Sequence, residues 1–204
     1  MSRSRRTHFE RLRISLTWCF GLFIAILTIF GESRLQTPLL GTVLFTLGGI
    51  FATVGAFGRL WCSLYIAGYK NKTLVTVGPY SLCRNPLYFF SFLGALGIGL
   101  STGSLTIPVI IVCGFAVYYP LVVSDEEARL ALLHGEYFHR YRQRTPAFFP
   151  RFSAFSEPAE YTVQPMIFRK DIGDSVWFVW IVCLVQLISA LRDFAYIPTL
   201  FTLY

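Results

Sequence analysis

Gly78-Pro79-Tyr80-Ser81-Leu82-Cys83-Arg84-Asn85-Pro86-Leu87-Tyr88 interrupts a chain otherwise dominated by long apolar runs. Two prolines, two tyrosines, an arginine and an asparagine stand where the surrounding composition reads as membrane. Polar, irregular backbone beside a bilayer persists only where protein buries it or where it lines a cavity, so the stretch marks a functional site. Asn85-Pro86 is also a helix-start signal. Asparagine can cap free amides, and proline at the first helical position sacrifices no hydrogen bond.

Working outward, 204 residues with 54% apolar side chains exclude an ordinary soluble domain, as does a mean hydropathy of +0.56. One domain, residues 1–204, is expected. A first apolar run, 14–30, follows Arg3, Arg5, Arg6, Arg11 and Arg13. No small-x-small cleavage site follows it, so it reads as a retained span. A second span covers 38–57, with Gly41, Gly48, Gly49 and Gly55 allowing close helix approach. Beyond the opening stretch a third span runs from Pro86 to about 100, a polar turn covers 101–104, and a fourth span covers 105–123. So short a turn makes these two an antiparallel hairpin. Residues 151–174, with Pro158 and Pro165, read as an irregular connector. Asp174 or Ser175 then caps a last apolar helix, 176–191, within a C-terminal membrane segment 175–204. The expected fold is all-α, a polytopic helical membrane protein of about five transmembrane helices with one amphipathic helix on the cytoplasmic side.

That amphipathic helix is residues 124–144. At 100° per residue Leu130, Leu133, Tyr137 and Tyr141 form one stripe, and Arg129, Glu136, Arg140 and Gln143 fall opposite. Glu126, Glu127 and His134 land on or beside the apolar stripe, and the wheel does not choose between the two carboxylates. A glutamate there can equally be a first-turn charge stabilised by the helix dipole.

The net charge of +7 is explained by topology. With a cytoplasmic N-terminus, the inside segments hold the five N-terminal arginines, then Arg59, Lys70, Lys72 and Arg84, then Arg129, Arg140, Arg142, Arg144, Arg151, Arg169 and Lys170. Only Arg34 and Arg192 fall outside. Such a positive-inside bias requires no nucleic-acid partner. It also puts the opening stretch and Glu126 on one side of the membrane. The five cysteines are odd in number and lack CxxC spacing, so they read as small core residues with no metal site.

A helix N-terminus beside Arg84 suits an anion. Tyr80 and Tyr88 offer aromatic faces to a cation or a flat base, and Glu126 can accept hydrogen bonds from ribose hydroxyls or an amine. Anion, cation and aromatic contacts together match the parts of S-adenosylmethionine. The stretch LVTVGPYSLCRNPLY followed by SDEEARLALLHGEYFHRYRQRTP resembles the isoprenylcysteine carboxyl methyltransferases and the related phospholipid methyltransferases of membranes. The family pattern runs roughly LVTxGxYxxxRHPxY, then a Glu pair, then GxxYxxYxxxxP. The resemblance covers about residues 58–150, which would hold the cofactor core.

By position, the resemblance implies that Lys72, Thr73, Leu74, Val75, Tyr80, Asn85, Pro86, Leu87 and Tyr88 line the cofactor site, with Glu126 completing it. Arg84 joins them as an anion ligand. Two positions depart from the pattern. Asn85 stands where the family has histidine, and Val122 stands where the isoprenylcysteine enzymes present an arginine to the substrate carboxylate. The implied activity is methyl transfer from S-adenosylmethionine to a lipophilic, membrane-borne acceptor, isoprenylcysteine-like or an amino phospholipid. The alternative is a non-catalytic carrier or assembly protein on the same scaffold. The sequence fixes neither the catalytic residues nor the oligomeric state.

Overall fold

A computed structural model describes residues 8–34, 37–69 and 72–204. Arg3, Arg5, Arg6 and Lys70 lie outside the described residues. The chain folds as α1 (His8–Phe30), β1 (Gly31–Ser33), α2 (Pro38–Ile66), α3 (Pro79–Leu82), α4 (Pro86–Ser101), α5 (Thr106–His134), α6 (Glu136–Arg144), α7 (Pro165–Asp193) and β2 (Phe201–Leu203). Among the described residues, three helices are long and apolar enough to cross a membrane: Leu39–Ile66, Thr106–His134 and Pro165–Asp193. Ser15–Phe30 and Pro86–Ser101 are shorter apolar helices.

Several boundaries differ from the sequence reading. Helix α2 continues nine residues past Phe57, because Gly58 and Arg59 turn inward against α4 and do not mark the interface. The fourth span and the first half of the expected amphipathic helix are one continuous helix, α5, about 43 Å long at 1.5 Å per residue. Gly135, at φ +52°, ends it and restarts the chain as α6. That break rotates the second half out of phase. Past the break Tyr137 is exposed, as Leu133 is before it, whereas Phe138 and Tyr141 are buried. Helix α7 begins at Pro165, nine or ten residues before the expected cap at Asp174 or Ser175, because proline fits the first helical turn as readily as it breaks an interior one. The irregular connector is correspondingly shorter. Of the cysteines only Cys62 and Cys83 are buried; Cys19, Cys113 and Cys183 are exposed.

The fold is not purely helical either. Strands β1 and β2 pair in parallel, Gly31 opposite Phe201 and Ser33 opposite Leu203. Arg192 donates to the carbonyls of Thr28 and Gly31, and the backbone amides of Leu105 and Thr106 donate to Tyr204 O. The aromatic C-terminus thus ties together one end of the bundle, and the opening motif lies at the other.

The central contact is α2 against α4. Backbones meet directly there: a Cβ on Gly55 would sit 2.5 Å from Gly94 N, and one on Gly97 would sit 2.4 Å from Ala52 N. Small residues at both faces give the close approach that drives helix association in lipid, where burial of apolar surface contributes little. Phe178 and Val182 of α7 close over Ala52 on the flank. Gly55→Val and Gly97→Val are each expected to cost more than the about 1–3 kcal/mol typical of overpacking, since backbone cannot rotate aside. Gly49→Ala, where nothing lies within 4 Å, is the control. Thermal unfolding in detergent checks this, and equal midpoints for all three variants would contradict it.

Candidate functional site

The opening motif is held by its backbone. Gly78 adopts φ +61°, and a Cβ there would lie 2.5 Å from the Tyr65 ring, so glycine is required both for conformation and for space. Its amide donates to Ser156 O at 2.8 Å. Ser81 Oγ donates to Gly78 O at 2.7 Å and accepts from the Ser156 amide at 3.0 Å. Further along, Arg84 N donates to Pro146 O and Arg151 N to Leu82 O, at 2.8 and 3.0 Å. Tyr141 Oη donates to Tyr80 O at 2.6 Å. The second motif and the residues after it therefore clasp the first on main-chain atoms, which no side-chain pattern advertises.

Asn85 occupies the cap position of α4 without capping through its side chain. Its carbonyl already accepts from the amides of Tyr88 and Phe89 at 3.1 and 3.2 Å. The side-chain amide is thereby free to donate to Ala147 O at 3.1 Å, where Tyr119 Oη also donates. Tyr119 in turn packs against Phe148, Phe115 and Tyr88, giving an aromatic cluster between α4, α5 and the loop after α6.

The two glutamates that the helical wheel left equivalent have different partners. Glu127 takes Arg84 Nε at 2.8 Å and Arg142 Nε at 3.6 Å, and its side chain is 12% exposed. Arg84 Nη1 also donates to the carbonyls of Arg142 and Thr145, at 2.9 and 2.6 Å. Arg84 is thus engaged inside the clasp. Glu126 accepts from Tyr88 Oη at 3.1 Å and lies 3.6 Å from Arg129.

Of the remaining expected positions, Tyr80, Val75 and Leu87 converge in one cluster with Cys62 and Tyr65. Leu74 is half-buried, Lys72 and Thr73 are exposed, and Pro86 is fully buried. Val122 is buried on α5, one turn before Glu126. A groove of about 390 Å³ opens beside Arg84, between Pro120, Ser124, Glu127, Arg142 and Ala147. Tyr65, Tyr119, Phe148, Ser156 and Glu157 escaped the sequence reading. The Tyr65/Tyr69 spacing of one helical turn was the available signal: Tyr65 Oη donates to Glu157, and Tyr69 Oη to Thr162 O.

Burial raises the Tyr80 and Tyr141 phenols well above their ordinary range and pushes the Cys83 thiol from 9 up to about 12. All three are neutral at physiological pH, so none supplies a base. The fold favours the protonated form of each. The contribution of Cys83 to stability is complete below pH 9, where even the unfolded thiol is protonated, and is lost as the pH climbs through about 12, while those of the two tyrosines persist to higher pH. Unfolding midpoints measured from pH 7 to 12 are expected to decline only above about 9.

The sequence profile of the phospholipid methyltransferase family matches residues 37–136. The cobalt-zinc-cadmium resistance protein CzcN of Cupriavidus metallidurans is 39% identical over 203 residues, covering 100% of this chain and 94% of that protein. The nickel-cobalt-cadmium resistance protein NccN of Alcaligenes xylosoxydans xylosoxydans is 39% identical over 189 residues, 93% of this chain and 88% of its own length. A protein-S-isoprenylcysteine O-methyltransferase of Schizosaccharomyces pombe is 29% identical over 87 residues, 42% of this chain and 37% of the enzyme. No solved structure matches. The membrane-helical architecture, the clasped pair of motifs and these similarities establish that the chain belongs to the phospholipid methyltransferase family, to which the isoprenylcysteine carboxyl methyltransferases are related.

Proposed function

We propose that the protein transfers a methyl group from S-adenosylmethionine to a lipophilic acceptor held in the bilayer, with an amino phospholipid as the favoured class. The observation carrying this reading is the Tyr88–Glu126 hydrogen bond beside a motif clasped by the second motif. Lys72, Thr73, Leu74, Val75, Tyr80, Arg84, Asn85, Pro86, Leu87, Tyr88 and Glu126 would line the cofactor. The donor set fits a nucleoside: Tyr80 Oη is buried with no hydrogen-bond partner, and Glu126 presents carboxylate oxygens suited to ribose hydroxyls. When bound, the cofactor supplies a methyl already activated on a sulfonium.

The chain's own residues then have to orient the acceptor and exclude water. An amine whose ammonium form has a pKa near 10 is protonated at neutral pH and must lose that proton before its lone pair could take the methyl released from the sulfonium. Glu127 is held by Arg84 and Arg142 and is 12% exposed, whereas Glu126, beside Tyr88 and Arg129, is 22% exposed and is the more accessible proton acceptor. Val122 is uncharged and buried, so that position offers no cation to a carboxylate acceptor. This favours the amine over isoprenylcysteine.

In this reading all five apolar helices span, with the N-terminus and the site facing the cytoplasm, as the basic residues favour. Two relatives are named for metal resistance. Among the described residues no group of three or more His, Cys, Asp or Glu side chains is placed to hold a metal ion. Purified protein given labelled S-adenosylmethionine with phosphatidylethanolamine or a prenylcysteine is expected to label the phospholipid. Absence of saturable S-adenosylhomocysteine binding in calorimetry would overturn the enzyme reading in favour of a carrier or assembly protein.

A further inference from the structure

Arg59 belongs to none of the site described above. It lies in α2 at the level of Ser91 on α4 and Phe178 on α7, within a helix apolar enough to span. Among the described residues its one hydrogen bond runs from Nη1 to Ser91 Oγ. Its guanidinium carbon stands 5.7 Å from the Phe178 ring centroid, and Nε is buried with no acceptor. Asp174, Cys62 and Asp171 act on it electrostatically, Asp174 most strongly, and both aspartates belong to α7. An ionised side chain in a span is costly and is retained where it meets a substrate or ion. A guanidinium fork with an unused donor is the geometry that recognises phosphate oxygens.

We propose that Arg59, with Ser91, is the headgroup subsite of the acceptor lipid, taking a phosphodiester oxygen in the junction of α2, α4 and α7. This rests on the methyltransferase reading. Ser91 Oγ, the acceptor for Arg59, donates at 2.6 Å to the carbonyl of Leu87, one of the expected cofactor-lining residues. The subsite is therefore contiguous with the cofactor region through a two-bond relay. Phe178 covers one face of the guanidinium and excludes water from it. Asp174 and Asp171 set the selectivity. A purely anionic headgroup meets their repulsion, whereas a zwitterionic one offers phosphate to Arg59 and ammonium to the carboxylates. Arg59 thus supplies from α2 the anion recognition that Val122 on α5 lacks.

The test uses the full chain in nanodiscs, with lipid retention read by native mass spectrometry and S-adenosylhomocysteine affinity by calorimetry. Phosphatidylethanolamine is expected to be retained over phosphatidylglycerol. Arg59→Gln should raise the KM for phosphatidylethanolamine at least tenfold, with kcat at saturating lipid and S-adenosylhomocysteine affinity within twofold. Arg59→Lys, which keeps the charge without the fork, should fall between the two and serves if Arg59→Gln fails to fold. Asp174→Asn should narrow the preference between the two lipids. An unchanged KM in Arg59→Gln, or in Arg59→Lys if that is the folded variant, overturns the subsite. So does displacement of lipid by micromolar inorganic phosphate, which would make it a free-anion site. If wild type binds no S-adenosylhomocysteine, the methyltransferase reading fails by itself. Loss of phosphatidylethanolamine retention in Arg59→Gln would then still support the subsite.

Discussion

Arg84→Met is expected to unfold the clasped motif region, with a loss of about 3–5 kcal/mol. The arginine stands in a nearly closed pocket, 12% exposed like its partner Glu127, and serves three acceptors on two elements. Removing it leaves a buried carboxylate facing only Arg142, at 3.6 Å, and strips the carbonyls of Arg142 and Thr145 of their donor. The cost is that of unpaired buried groups, which exceeds the net worth of the pair itself. Arg84→Lys should rescue little, since one ammonium cannot reproduce a planar fork that reaches a carboxylate and two carbonyls together. Thermal unfolding and limited proteolysis between residues 141 and 156 check this. A variant with wild-type stability would mean that the clasp does not depend on Arg84.

Glu126→Gln and Tyr88→Ala are expected to do the opposite, weakening S-adenosylhomocysteine at least about tenfold, or 1.4 kcal/mol, while leaving the unfolding midpoint close to wild type. Their mutual hydrogen bond lies on the partly open side of the site, and Glu126 keeps 22% of its side-chain surface exposed. Neither residue carries backbone acceptors of the clasp. Glu127→Gln is the instructive neighbour. One position along the helix, it should lose stability through its arginines rather than affinity through the ligand. Unchanged affinity in both Glu126→Gln and Tyr88→Ala would mean that the cofactor lies elsewhere.

Much of the fold was legible because bilayer physics is coarse. Long apolar runs announce helices, and the glycines at 48 and 55 announced a close helix contact that proved to be backbone against backbone with α4. What misled was punctuation. Pro165 reads as a breaker until its amide-free nitrogen is seen at the first turn of α7, and Gly135 is an inconspicuous residue until its positive φ shifts the wheel so that Phe138 faces inward and Tyr137 does not. The strand pair at 31–33 and 201–203 joins segments too short and too distant in sequence to signal each other.

The sequence by itself determined the membrane-helical class, the position of the polar motif at a helix start, and the partnership of that motif with an acidic helix, because hydropathy, proline chemistry and motif spacing are local properties. Tertiary structure alone decided which glutamate does what. Glu126 and Glu127 are adjacent and chemically alike, and only the arrival of Arg84 and Arg142 at one and Tyr88 at the other separates them. It also decided that Asn85 donates to Ala147 and leaves capping to its own carbonyl, and that Arg59 meets Ser91 and Phe178 inside the bundle. Each outcome depends on which distant segment reaches a side chain first, and three-dimensional packing sets that.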